Sequence, residues 1–181
     1  TLFPYTTLFR SRAAAVAALG WLANPAVLPA LEEMLADTNA DARLAAVTAL
    51  SRMDDPQVAP LLRNVAEDDG KAGAAALLAL AQRGDRTITP LCLARAAQPN
   101  FNDLTITAAL AELGDPAATA TLSKLAEHKD AKLRQIAYIG LARIGDKTAL
   151  DTLCRVIEGQ AATVDGTGEM TISWLPALQM L

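Results

Sequence analysis

The chain has 181 residues, of which 52% are hydrophobic and only 4% aromatic, and its 16 Lys/Arg against 20 Asp/Glu give a formal charge of −4. Alanine supplies much of the apolar content, so there is no large aromatic core, and small residues at recurring positions let helices approach closely. The mild acidity argues against a nucleic-acid groove, which needs clustered Lys/Arg, and no apolar run approaches the roughly eighteen residues of a membrane span.

In chain order, the first eleven residues, TLFPYTTLFRS, stand apart from everything that follows. Thr1–Ser11 match the conceptual translation of a common sequencing-library adapter, and the chain has no initiator Met. We expect this segment to be an artefact outside the fold. The natural N-terminus is then missing, and the sequence assigns no compartment.

From about residue 12 to 160 the chain repeats. Asn24, Asp55, Asp85, Asp115 and Asp146 share one register, at spacings of 31, 30, 30 and 31 residues. The surrounding stretches read ALGWLANPAVLPAL, ALSRMDDPQVAPLL, ALAQRGDRTITPLC, ALAELGDPAATATL and GLARIGDKTALDTL. A fixed period of this length marks a repeat array. Five copies are expected at about 12–39, 40–70, 71–100, 101–130 and 131–160.

The second copy shows the logic. Leu44, Val47 and Leu50 form a stripe at helical spacing, which predicts a first helix from about Asp41 to Met53 with Asp41 as N-cap. Asp55 then caps the second helix, with Pro56 at its first position; Asn24–Pro25 and Asp115–Pro116 repeat this pairing. A carboxylate there accepts backbone N–H bonds and favours the positive end of the helix dipole, and losing it should cost on the order of 1 kcal/mol. Pro29, Pro60 and Pro90 recur five residues after the cap. This spacing predicts one lost backbone bond and a distorted first turn.

Apolar columns continue through the second helices. One contains Val27, Val58, Ile88, Ala118 and Ala149; another contains Leu31, Leu62, Cys92, Leu122 and Leu153. A third runs Met34, Val65, Leu125 and Val156 and is broken by Arg95. Cys92 therefore reads as a buried small hydrophobe. Cys154 lies two copies away, about 20 Å at ordinary helix spacing and too far for a disulfide.

The ALxxLGDP-like turns within thirty-residue helix pairs resemble the short HEAT-like repeats of the phycobilisome-lyase type. Arg12, Arg43 and Arg134 match the Arg often found early in the first helix of that family, whereas Gly73 and Asp103 replace it in the middle copies. The resemblance implies an all-α fold, an α-α superhelix of about five helix pairs, with first helices outside and second helices lining the concave side. Repetition is needed because one such pair cannot bury its apolar face alone.

Residues 161–181 leave the pattern. TVDGTGEMTISW has a Gly-containing turn and then alternating Met170, Ile172 and Trp174, which fits a short hairpin insert or a linker. WLPALQML resembles the start of a helix cut short, so the chain is expected to be a fragment of a longer protein.

Chemistry-bearing constellations are sparse. His128 is the single histidine, and it reads as a solvated helix-end residue. The repeated His-Glu pairs with which HEAT-like deoxyhypusine hydroxylases hold iron do not occur, and Ser123 is poorly placed for a hydrogen bond to His128. Asp165-Gly-Thr-Gly lacks the Lys-Ser/Thr of a phosphate-binding loop and the ligand number of a calcium loop. HEAT-like alkylpurine DNA glycosylases carry a basic, aromatic-bearing groove. Here the exposed second-helix column is Glu33, Asn64, Ala94, Lys124 and Arg155, grading from acidic to basic without aromatics. It is either an ordinary solvated face or a polar partner-binding strip on the concave side.

The reading is therefore a protein-binding scaffold without catalytic residues, cofactor or metal, and with no nucleic-acid or membrane-inserting role. The alternative, carried by family analogy alone, is a subunit of a bilin lyase or related chromophore-handling enzyme. The register residues Asn24, Asp55, Asp85, Asp115 and Asp146 are expected to serve as helix caps and inter-repeat hydrogen-bond acceptors, not as a metal ladder.

Overall fold

The structure, a computed structural model, describes residues 25–99 and 101–157. Thr1–Ser11, Arg12, Asn24, the first helix of the first copy and residues 161–181 lie outside the described residues, as does the side chain of Val156. Among the described residues the chain forms nine α-helices and three short 3-10 turns, with no strand. The helices are α1 (Leu28–Leu35), α2 (Ala40–Ser51), α3 (Val58–Ala66), α4 (Lys71–Gln82), α5 (Thr89–Ala96), α6 (Leu104–Leu113), α7 (Thr119–Ala126), α8 (Ala131–Ile144) and α9 (Lys147–Ile157). Even-numbered helices are the first members of the pairs and odd-numbered helices the second. The 3-10 turns Pro25–Val27, Arg86–Ile88 and Pro116–Ala118 lead directly into α1, α5 and α7.

Packing is offset by half a repeat. The first helices α2, α4, α6 and α8 stack on one another in sequence. The second helices α1, α3, α5 and α7 lean chiefly on the first helix of the next copy, and only slightly on their own partner or on each other. Each copy thus buries its apolar face against its neighbour, which is why a lone pair would not suffice. Leu50, Leu77, Leu80 and Leu110 from first helices share one core with Leu31, Leu62, Cys92 and Leu122 from second helices, all fully buried. Val58, Ile88, Ala118 and Ala149 form a second buried column.

Small residues set the spacing of the first helices. Ala49, Ala79, Ala109 and Gly140 share one register and are all buried. A Cβ at Gly140 would stand 2.8 Å from Ala111 Cα and 2.9 Å from Leu122 Cδ1, closer than packed atoms tolerate. Glycine here serves the close approach of α8 to α6. At the helix ends the need is conformational: Gly114 and Gly145, at φ +55° and +95°, close α6 and α8 in the left-handed region.

Two sequence expectations are corrected and a third is extended. Asp41 is not the N-cap of α2. Asn39 holds that position with extended backbone, and its side chain accepts from Asp41 N at 2.8 Å, placing Asp41 in the first turn. Nor do Pro29, Pro60 and Pro90 cost a backbone bond. The preceding turn takes up the residues after the cap, so these prolines fall at the second or third residue of α1, α3 and α5, where an N–H has no intrahelical partner. Finally, Asp103 does more than replace an arginine. It is the N-cap of α6, accepting from Thr105 N at 2.7 Å and Ile106 N at 3.2 Å, and this helix has 10 residues against 12 in α2 and α4.

Candidate functional site

The register carboxylates lie at the turns between first and second helices. Asp55 accepts from Gln57 N at 2.8 Å, Asp85 from Thr87 N at 3.1 Å, Asp115 from Ala117 N at 2.9 Å and Asp146 from Ala149 N at 2.8 Å. Asp85 and Asp115 also bind the preceding copy. Arg63 of α3 donates to Asp85 Oδ2 through Nε at 2.8 Å, with Nη2 at 2.7 Å. Thr89, at the start of α5, donates from Oγ1 to Asp115 Oδ2 at 2.9 Å. These bonds set the carboxyl chemistry. Burial pushes Asp85 up, but hydrogen bonds from Thr87 and Arg63 outweigh it and hold the group below the ordinary 3.8. The Ala117 N–H and the Thr89 hydroxyl lower Asp115 in the same way. A carboxylate already committed to neighbouring donors is a structural acceptor.

Arginines close the carbonyls that helix ends leave open. Arg43 donates to Asp37 O at 2.8 Å and Thr38 O at 3.2 Å, and Arg134 to His128 O at 2.8 Å and Lys129 O at 2.9 Å. Arg83 reaches back to the carbonyls of Leu50, Ser51 and Met53 at the end of α2. Arg143 does the same at Glu112 of α6. The third copy has Gly73 where Arg43 and Arg134 stand. There Arg95, from α5, donates to Ala66 O at 2.8 Å and Asp68 O at 2.5 Å. The Asp68 carbonyl oxygen occupies the space of a side chain at Gly73, only 1.8 Å from where a Cβ would be. The two sequence anomalies, a missing arginine and an apolar column broken by Arg95, are one exchange. Both were visible as departures in the same copy; their proximity was not.

The second-helix column is left for solvent. Glu33, Asn64, Ala94, Lys124 and Arg155 are all exposed, on α1, α3, α5, α7 and α9 respectively. Among the described residues, no hydrogen bond or ion pair engages the side chains of Glu33, Asn64, Lys124 or Arg155. The charge gradient extends beyond this column. Residues 25–70 carry nine Asp/Glu against three Lys/Arg, whereas residues 121–157 carry four against seven. Successive second helices stand apart, and the space between α1 and α3 is an open groove of about 450 Å³ lined by Leu28, Pro29, Glu32, Asp55, Gln57, Pro60 and Leu61.

The remaining reactive side chains are placed as follows. His128 is half-buried after α7, where its Nδ1 accepts from Asp130 N at 3.1 Å, a role that Asp37 plays toward Asn39 N at 2.8 Å in the second copy. Cys92 is fully buried, and burial raises its thiol to about 11; Cys154 is exposed, and both are free thiols. Among the described residues no three His, Cys, Asp or Glu side chains converge to hold a metal ion, and no helix is long and apolar enough to cross a membrane.

Stacked helix pairs with a shared core, internally satisfied turns and an exposed second-helix face define an α-α solenoid. The family model of HEAT repeats matches residues 9–81 and 92–167, most of the chain, and the protein belongs to the HEAT-repeat family. No curated protein matches it.

Proposed function

We propose that this chain is a non-catalytic scaffold that binds another protein along the exposed face of its second helices, within the short phycobilisome-lyase branch of the HEAT-like repeats. One observation carries the reading: charged side chains on α1, α7 and α9 are exposed and unengaged, while Asp85 and Asp115 at the turns and the first-helix Arg43 and Arg134 are used internally. The gradient from Glu33 through Asn64 to Lys124 and Arg155 gives the face a direction. A partner with complementary polarity would bind in one orientation. The branch assignment rests on the period of 30 or 31 residues and on the Asp-Pro turns.

The test is affinity capture from cell extract with the wild-type chain and with Glu33→Lys, Lys124→Glu and Arg155→Glu, singly and combined. Capture of a protein that weakens progressively with the reversals supports the reading. Capture that ignores all three removes this face from consideration.

A further inference from the structure

The grooves between successive second helices are built alike, but they are filled differently. In the groove between α3 and α5, Arg63 stands eight residues after Asp55 and closes onto Asp85 of the next turn, at 2.8 Å and 2.7 Å. In the groove between α5 and α7 that carboxylate position, Asp115, receives the Thr89 hydroxyl at 2.9 Å. In the groove between α1 and α3 the residue eight after Asn24 is Glu32, the opposite charge to Arg63. It lines an open groove of about 450 Å³ together with Asp55. Asp55 accepts from Gln57 N at 2.8 Å; among the described residues nothing from α1 reaches it, and none forms a hydrogen bond or ion pair with the Glu32 side chain. Leu28, Pro29, Pro60 and Leu61 supply apolar walls.

We propose that this groove receives an arginine side chain of the partner protein, seated between Asp55 and Glu32 as Arg63 is seated on Asp85 in the next groove. The inference rests on the scaffold reading above and names the chemistry of one contact. Two features of the molecule choose the occupant. The first is charge complementarity: two carboxylates face the groove within a segment rich in acidic residues. The second is internal precedent, because the same turn position one copy later is occupied by a guanidinium. A guanidinium offers a fork of donors that a carboxylate pair can accept, and its aliphatic stem lies well against proline and leucine. The volume falls within the roughly 300–1,000 Å³ of ordinary ligand clefts. Glu32 in place of a donor leaves the groove open and adds a second carboxylate to it.

The test uses the full chain and the peptide acetyl-Gly-Arg-Gly-amide, with acetyl-Gly-citrulline-Gly-amide as the uncharged isostere, in amide NMR titrations. We expect saturable shifts confined to residues of α1, the Asp55 turn and the start of α3. Citrulline should bind at least about fivefold more weakly, and Glu32→Gln should weaken the arginine peptide by a similar factor. Glu32→Arg should fill the groove from within, abolish peptide binding and raise the melting temperature. Equal binding of the two peptides, or binding that survives Glu32→Arg in a folded chain, would overturn the proposal. The affinity-capture experiment separates it from the scaffold reading. Capture lost with the Glu33, Lys124 and Arg155 reversals but indifferent to Glu32→Arg sinks the groove alone; peptide binding in the groove with capture indifferent to those reversals sinks the strip alone.

Discussion

The exchange of Gly73 and Arg95 makes a sharp prediction. A Cβ at residue 73 would lie 1.8 Å from the Asp68 carbonyl oxygen and 2.8 Å from its carbon. The loop would have to retreat by about 1.5 Å to reach ordinary contact, drawing Asp68 O away from Arg95 Nη2, now at 2.5 Å. Losing a hydrogen bond to a charged group costs about 1.5–3 kcal/mol, and the strain adds about 1 kcal/mol. The higher helix propensity of alanine returns about 1 kcal/mol. Gly73→Ala should therefore destabilise the chain by about 1.5–3 kcal/mol. Arg95→Leu, which restores the apolar column of Val65 and Leu125, leaves the Ala66 and Asp68 carbonyls without their donor, at a cost of about 1–3 kcal/mol. The double variant Gly73→Arg/Arg95→Leu rebuilds the arrangement of Arg43 and should be more stable than the sum of its single changes by at least about 1.5 kcal/mol. Urea titrations followed by far-UV circular dichroism, with slopes checked for constancy, measure all of these. A neutral Gly73→Ala, or strictly additive single changes, would refute the exchange.

Gly140→Ala should lower stability by about 1–3 kcal/mol in a thermal melt, because the new methyl meets the Ala111 backbone, which cannot rotate away. Asp85 and Asp115 have folded-state values below the ordinary 3.8, so the folded state binds fewer protons than the unfolded one. Their contribution is present above that value and is lost as pH falls through the lower folded-state values. The melting temperature should hold at mild acidity and fall below about pH 4, with Asp85→Asn flattening part of that fall. Iodoacetamide should label Cys154 in the native chain and Cys92 only after denaturation, as read by peptide mass mapping, since Cys92 is buried with its thiol raised to about 11.

What the sequence determined by itself is the periodic part. The spacing of the Asn/Asp turns and the columns of Leu, Val and Ala define a helical-repeat solenoid, because a helix-pair period must recur wherever each pair depends on the next for its core. The burial of Cys92 followed from its place in the Leu31, Leu62 and Leu122 column. Local turn chemistry was only partly legible. Asn39, not Asp41, caps α2, and the prolines five residues after the register position sit harmlessly in the first turn, because the depth of each turn is set by backbone dihedrals that composition does not reveal. Tertiary structure alone decided which copies touch through side chains. The half-repeat offset brings Arg63 onto Asp85, Thr89 onto Asp115 and Arg95 into the space beside Gly73. It also leaves Glu32 and Asp55 facing an open groove. Those pairings lie 22 to 29 residues apart in sequence, and they depend on stacking distance and crossing angle, which small residues such as Gly140 set only once the helices meet.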